Sequence, residues 1–264
     1  MYLMLQIIQN ASALTLLILV LVSFVALGLA TFFIAKKVFY SLTFVDHTDF
    51  GEIFSDALGI LFGLILAFVT IGTWQNYNSV SQAVSQEGGA VYGIYTALEG
   101  YPPDIKQEGR KILQQYMEEV ITEEWPKMLK NQNDLPALNE LNKFSRLMHQ
   151  FKPSNFGELA AQQEMLRLLG DYRLLRNSRV LSAKSFIDPP MFLSLGLGAF
   201  CFLFYQCLYS MKSNRLHMVM ISLLSISLGL IFYLILIYNN PFIGPSKIDP
   251  EDFKLVLNYA KLNP

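Results

Sequence analysis

The sequence predicts an all-α polytopic membrane protein, with four transmembrane helices and a helical extramembrane domain between the second and third. Four long stretches carry no Asp, Glu, Lys or Arg: Met1–Ala35, Ala57–Gln86, Pro189–Met211 and Leu216–Ser246. Each holds at least the ~18 mostly apolar residues that a helix rising about 1.5 Å per residue needs to cross a hydrocarbon core of roughly 30 Å. The charge lies elsewhere: residues 87–188 hold 14 acids and 13 bases. No run alternates with the two-residue period of a strand, and no repeat of about 20–50 residues is present.

Composition narrows the function classes. The chain has 264 residues, 53% hydrophobic and 16% charged, with net charge −1 and pI about 6.3. That balance offers no basic footprint, so no nucleic-acid partner is expected. The charged block is long enough for a small core of its own. Cys201 and Cys207, the two cysteines, are six apart in the third apolar stretch and read as buried free thiols. The N-terminus lacks a basic region and its apolar run is too long for a signal peptide, so the first helix is expected to stay in the membrane.

The elements follow in order. Span one, about Leu14–Ala35, is closed by Lys36 and Lys37, and a loop of mixed charge, Lys36–Ser55, follows it. Span two, about Ala57–Trp74, runs without a breaker into Gln75–Leu98, which predicts one long helix leaving the membrane. Gly100-Tyr101-Pro102-Pro103 ends it. Asp104–Leu129 places Ile105, Ile112, Tyr116, Val120 and Trp125 near one stripe, with Pro126 positioned to kink the last turn. Leu135–Phe151 repeats the pattern. Asn155 is positioned as the N-cap of a helix over Phe156–Phe186. Pro189 and Pro190 open span three, Lys212–Arg215 joins it to span four, and a polar tail follows. The expected division is 1–75 and 189–240 in the membrane, 76–188 as the helical extramembrane domain, and 241–264 as the tail.

Span two differs from a plain anchor. Gly59, Gly63, Ala67 and Thr70 form a stripe of small residues, which in a membrane lets helices approach closely. Offset from it, Asp56, Ile60, Leu64 and Phe68 recur every four residues on one slowly drifting face. Around an axis shared by several copies, Ile60, Leu64 and Phe68 would form stacked apolar rings, a neck that gates by dewetting, with an acidic ring of Asp56 at the mouth. The alternatives are that the apolar residues face lipid or other helices and that Asp56 caps the helix. At the far end, Trp74 and Tyr77 suit an interfacial belt.

These residues also carry a family resemblance. Gly63-Leu64, then Phe68 through Trp74-Gln75-Asn76-Tyr77, resembles the second transmembrane helix of bestrophins. Asn240-Pro241-Phe242-Ile243-Gly244, followed by Asp249, Glu251 and Asp252, resembles the segment after their last transmembrane helix. The chain more closely resembles the bacterial bestrophin-like domain family over about Phe54–Leu257. That likeness rests on Asp56-Ala57-Leu58-Gly59, Thr73-Trp74, Glu124-Trp125-Pro126, the Arg173–Arg179 run, Pro189-Pro190 and Pro241-Phe242-Ile243-Gly244. The resemblance implies a homopentameric ion channel whose second helix lines the pore with three apolar rings one turn apart. Aligning Trp74 without gaps puts the rings at Asp56, Ile60 and Leu64; sliding by one turn puts them at Ile60, Leu64 and Phe68. The acidic residue in the first register departs from the family pattern and bears on anion selectivity. Animal bestrophins bind calcium through the acidic run after the last helix. Here three acids, with Pro250 among them, fall short of the six to eight oxygens calcium takes, so no metal is expected.

Other motifs point to little chemistry. His47, His149 and His217 have no metal-ligand spacing, and Asp46-His47-Thr48-Asp49 reads as a solvated loop. No nucleophile or phosphate-loop motif is present, so neither an enzyme nor a cofactor is expected. Glu118, Glu119, Glu123 and Glu124 read as a solvated helix face. Arg173, Arg176 and Arg179 read as contacts to lipid headgroups or as partners of acids on a neighbouring helix. Lys36 and Lys37 argue for the short loops inside, and the resemblance argues for the large domain inside. The resulting expectation is a homo-oligomeric, pentameric ion channel of the bacterial inner membrane, with the helical domain and both termini cytoplasmic. Its partners are the lipid bilayer, copies of itself and small inorganic ions. The rival is a non-conducting oligomeric scaffold or sensor whose helical domain binds a partner. A proton-coupled stator-like complex would want a mid-span acid, and no span has one.

Overall fold

The structure, a computed structural model, describes residues 12–38, 49–129, 136–182, 186–209 and 213–263. Asp46, His47 and Thr48, read above as a solvated loop, lie outside the described residues, as do Lys184 and Lys212. Among the described residues the regular elements are helices: α1 (Ala13–Val38), α2 (Asp49–Ala97), α3 (Pro103–Glu119), α4 (Trp125–Leu129), α5 (Leu138–Gln150), α6 (Phe156–Leu181), α7 (Pro189–Cys207), α8 (Asn214–Tyr238) and α9 (Glu251–Leu262). Four of them are long and apolar enough to cross a membrane: α1, the first part of α2, α7 and α8. The chain divides into two compact units, with the division inside α2 between Tyr77 and Asn78.

The first unit holds α1, α2 as far as Tyr77, α7 and α8. One face of α2 (Phe62, Leu66, Val69) packs with Leu195, Ala199 and Leu203 of α7 and with Leu228, Phe232 and Ile235 of α8. Phe32 and Ala35 of α1 meet Cys207 and Ile221, and Leu16 and Val20 meet Ile237. Cys207 is buried as expected, whereas Cys201 is exposed on α7. With lipid as solvent, apolar burial does not drive these contacts, so close approach matters most. Gly198 admits the Phe62 ring, whose nearest atom would lie 2.5 Å from a Cβ added there. Gly28 faces the Ser225 hydroxyl closely enough that any Cβ would collide with it. Gly28→Ala is therefore expected to lower the thermal stability of the detergent-solubilised protein by about 1–3 kcal/mol, the usual cost of overpacking. Adding Ser225→Gly, which removes the colliding atoms, is expected to return most of it.

Local chemistry sets the helix ends. Ser213 caps α8, its Oγ accepting the Leu216 N–H at 3.4 Å. Pro189 occupies the first turn of α7, where its missing N–H has no intrahelical partner to lose. The Asn239 side chain accepts the Ile187 N–H at 2.7 Å and its carbonyl accepts the Phe186 N–H at 2.9 Å, which fixes the entry to α7.

The second unit holds α2 from Asn78, then α3 to α6 and α9. Asn155 caps α6 as expected: its Oδ1 accepts the Glu158 N–H at 2.9 Å, while Glu158 accepts the Ser154 N–H at 2.7 Å. Two expectations change. The helix over Asp104–Leu129 is broken by a π turn at Val120–Glu124, which precedes Pro126 instead of following it. Proline lacks an N–H and its ring crowds the carbonyl four residues back, so the turn widens, and the Trp125 N–H reaches the Val120 carbonyl. The second change is in the segment read as a polar tail, where Glu251–Leu262 is a helix that buries Phe253, Val256, Leu257 and Ala260. Its end is tied down by Tyr95, whose hydroxyl donates to the Asn263 carbonyl at 2.5 Å, and by Gln114, which donates to the Ala260 carbonyl at 2.9 Å.

Candidate functional site

Two constellations stand out, one in each unit. The first is the uncovered face of α2. At about 100° per residue, Ile60, Leu64 and Phe68 lie roughly opposite Phe62, Leu66 and Val69, which pack inside the unit. Ile60, Leu64 and Phe68 are 70%, 53% and 66% exposed within a single chain, and Asp56 is also exposed. Successive members of the stripe are about 6 Å apart along the axis, one turn. The sequence-predicted neck and mouth residues are therefore brought to one face, and that face is exposed among the described residues.

The small-residue stripe lies to one side. Gly59 is half-buried, and a Cβ there would meet the Phe202 ring at 3.3 Å. Gly63 and Ala67 are exposed, and a Cβ on Gly63 would meet nothing within 4 Å. Trp74, at the far end of the span, is 49% exposed, while Tyr77 packs on Tyr238 with ring centroids 5.1 Å apart.

The second constellation is a buried ionic network. Arg179 of α6 is fully buried; its Nε donates to Glu87 of α2 at 2.6 Å and its Nη2 to Glu124 of the π turn at 2.7 Å. Arg176 donates to the other Glu124 oxygen at 2.6 Å. The Tyr172 hydroxyl donates to Glu87 at 3.2 Å and is hydrogen-bonded to the Tyr116 hydroxyl. The Arg179 guanidinium also lies 4.9 Å from the centroid of the Trp125 ring, whose Nε1 donates to the Ile248 carbonyl at 3.1 Å. Burial acts to lower the affinity of Arg179 for its proton, but the carboxylates of Glu87 and Glu124 outweigh it and hold the group charged. Burial pushes both tyrosine hydroxyls well above their ordinary range, so they remain neutral donors. Two carboxylates and two guanidiniums balance, which is how charge persists in an interior.

This network chooses between the two readings of the arginine run. Arg176 and Arg179 pair with acids on neighbouring elements, and Arg173 reaches the Asn142 side chain at 3.4 Å. Glu124 leaves the solvated acidic face assigned to it, because the π turn carries it inward. Glu87 had no part in the sequence reading. Its signal is that it continues the buried row Val80, Val84 and Val91 on one face of α2.

Of the C-terminal motif, Pro241, Phe242 and Ile243 belong to the same unit, while Asn240 and Gly244 belong to the first. Phe242 is fully buried, with its ring centroid 5.7 Å from that of Trp125. Asp249 pairs with Lys247 at 3.5 Å and Glu251 with Lys254 at 2.7 Å. Among the described residues no three His, Cys, Asp or Glu side chains gather closely enough to hold a metal ion.

Comparison with known proteins gives the following. The model of the bestrophin-like domain matches residues 22–253. No curated protein matches the sequence. A crystal structure described as that of a membrane protein matches with a TM-score of 0.68 and 12% identity, covering 94% of this chain and 97% of that one. At that identity the likeness is one of fold.

Proposed function

This chain belongs to the bestrophin-like family, and on that premise we propose that it is a homo-oligomeric, pentameric ion channel conducting passively through a pore lined by α2. The family includes ion channels. The observation that carries the reading is the uncovered face of α2, where Ile60, Leu64 and Phe68 stand opposite the packed face. Repeated around an axis, they form an apolar neck narrow enough to gate by dewetting. Asp56 then forms a ring of carboxylates at the mouth. Gly63 and Ala67 are exposed, and a Cβ on Gly63 would meet nothing within 4 Å, so both are left for contact between copies. The helical unit lies on the cytoplasmic side of a bacterial inner membrane.

Ion sign tests this reading. A ring of carboxylates concentrates cations and repels anions. The expected wild type is cation-preferring or weakly selective, and Asp56→Asn is expected to move the reversal potential under a salt gradient toward anions. A strongly anion-selective channel that Asp56→Asn leaves unaltered would show that Asp56 points away from the path.

A further inference from the structure

Where α1 and α7 end and α8 begins, the first unit buries a histidine. His217 of α8 is 3% exposed. Its Nε2 lies 3.2 Å from the Gln206 carbonyl of α7, and a carbonyl only accepts, so that nitrogen carries the proton. Its ring stands edge-on to Phe32 of α1, with centroids 5.0 Å apart. The other nitrogen, Nδ1, is buried with no hydrogen-bond partner among the described residues. The neutral ring therefore has one nitrogen satisfied and one lone pair unused in the interior.

The surroundings offer that nitrogen no counter-charge. α1 contributes Lys36, whose charge reaches the ring and whose Nζ lies 3.5 Å from the Tyr209 carbonyl. α7 contributes the Cys207 thiol, buried with Phe32, Ala35 and Ile221. On α8 itself Arg215 is exposed. No carboxylate among the described residues pairs with the ring. A proton on Nδ1 would make a buried cation beside an ammonium, with an N–H that has no acceptor. Relief requires water at Nδ1, and water enters only if the junction opens. Gln206 passes such a movement on. Its carbonyl holds the ring, and its side chain donates to Ser55 of α2 at 2.8 Å, next to Asp56.

We propose that Nδ1 of His217 is a proton-binding site, and that filling it opens the junction of α1, α7 and α8 and loosens the start of α2. The inference goes beyond the channel reading and stands without it. Cys207 is the reporter, since it is buried in the same junction. The full-length protein with Cys201→Ser, which removes the other thiol, is labelled in detergent with a small thiol reagent. Each rate is divided by that of a free thiol at the same pH. Between about pH 7.5 and about pH 5.5, where imidazole ordinarily titrates, the normalised Cys207 rate is expected to rise by about threefold or more. His217→Gln keeps a donor for the Gln206 carbonyl, and His217→Phe keeps a ring against Phe32. Both are expected to give flat profiles, and one of them that folds suffices. A flat profile in the parent overturns the proposal. So does an equal rise in a folded His217 variant, because another group then opens the junction. Ion flux separates the two readings: a protein that passes no ions but shows the His217-dependent rise loses the channel and keeps the proton site.

Discussion

Arg179→Met is expected to destabilise the helical unit by roughly 3–5 kcal/mol, the cost of breaking one member out of a buried ionic network. The side chain is fully buried and pairs with two acids at once. Once it is gone, Glu124 keeps Arg176 at 2.6 Å, but Glu87 keeps only the Tyr172 hydroxyl at 3.2 Å. The cost falls on Glu87, as an uncompensated buried charge. Adding Glu87→Gln to Arg179→Met removes that charge and is expected to recover a large part of the loss. Denaturation of the solubilised protein, followed by Trp125 fluorescence, checks both. A loss below about 1 kcal/mol would mean that the pair behaves as a solvated surface pair.

How much of this was legible in sequence differs from element to element. The continuity of α2 was, because no proline lies between Ala57 and Ala97. So was the Asn155 cap, because a short acceptor side chain stands just before a helical pattern. The helix α9 was readable in principle: Phe253, Val256, Leu257 and Ala260 have the spacing of one helical face, although the surrounding acids and Pro250 suggest a solvated tail. The π turn was legible only in part: Pro126 signals a disruption of the helix, but not that it takes the form of a widened turn at Val120–Glu124. It also decides that Glu124 is buried while Glu123 is exposed. The arginines had a signal that charge alone conceals, because Arg176 and Arg179 extend the row Met165, Leu169 and Tyr172 of α6.

For the α2 stripe the sequence supplies the spacing but not the choice of face. In a membrane helix both the packed and the uncovered sides are apolar, so hydrophobicity does not separate Phe62, Leu66 and Val69 from Ile60, Leu64 and Phe68. Packing against α7 and α8 separates them, and that depends on contacts distant in sequence.

The most direct test of the pore assignment is ion flux through purified protein in liposomes or a planar bilayer, comparing wild type with Ile60→Ala plus Leu64→Ala. On the proposed assignment each substitution would remove bulk from an apolar ring, widening the neck and lowering the cost of wetting it. Both positions are exposed in the single chain, so the fold of the subunit is expected to survive. The account predicts that the double variant conducts roughly threefold or more above wild type at equal reconstituted protein. Equal, zero flux from both proteins would contradict it and favour an oligomeric scaffold.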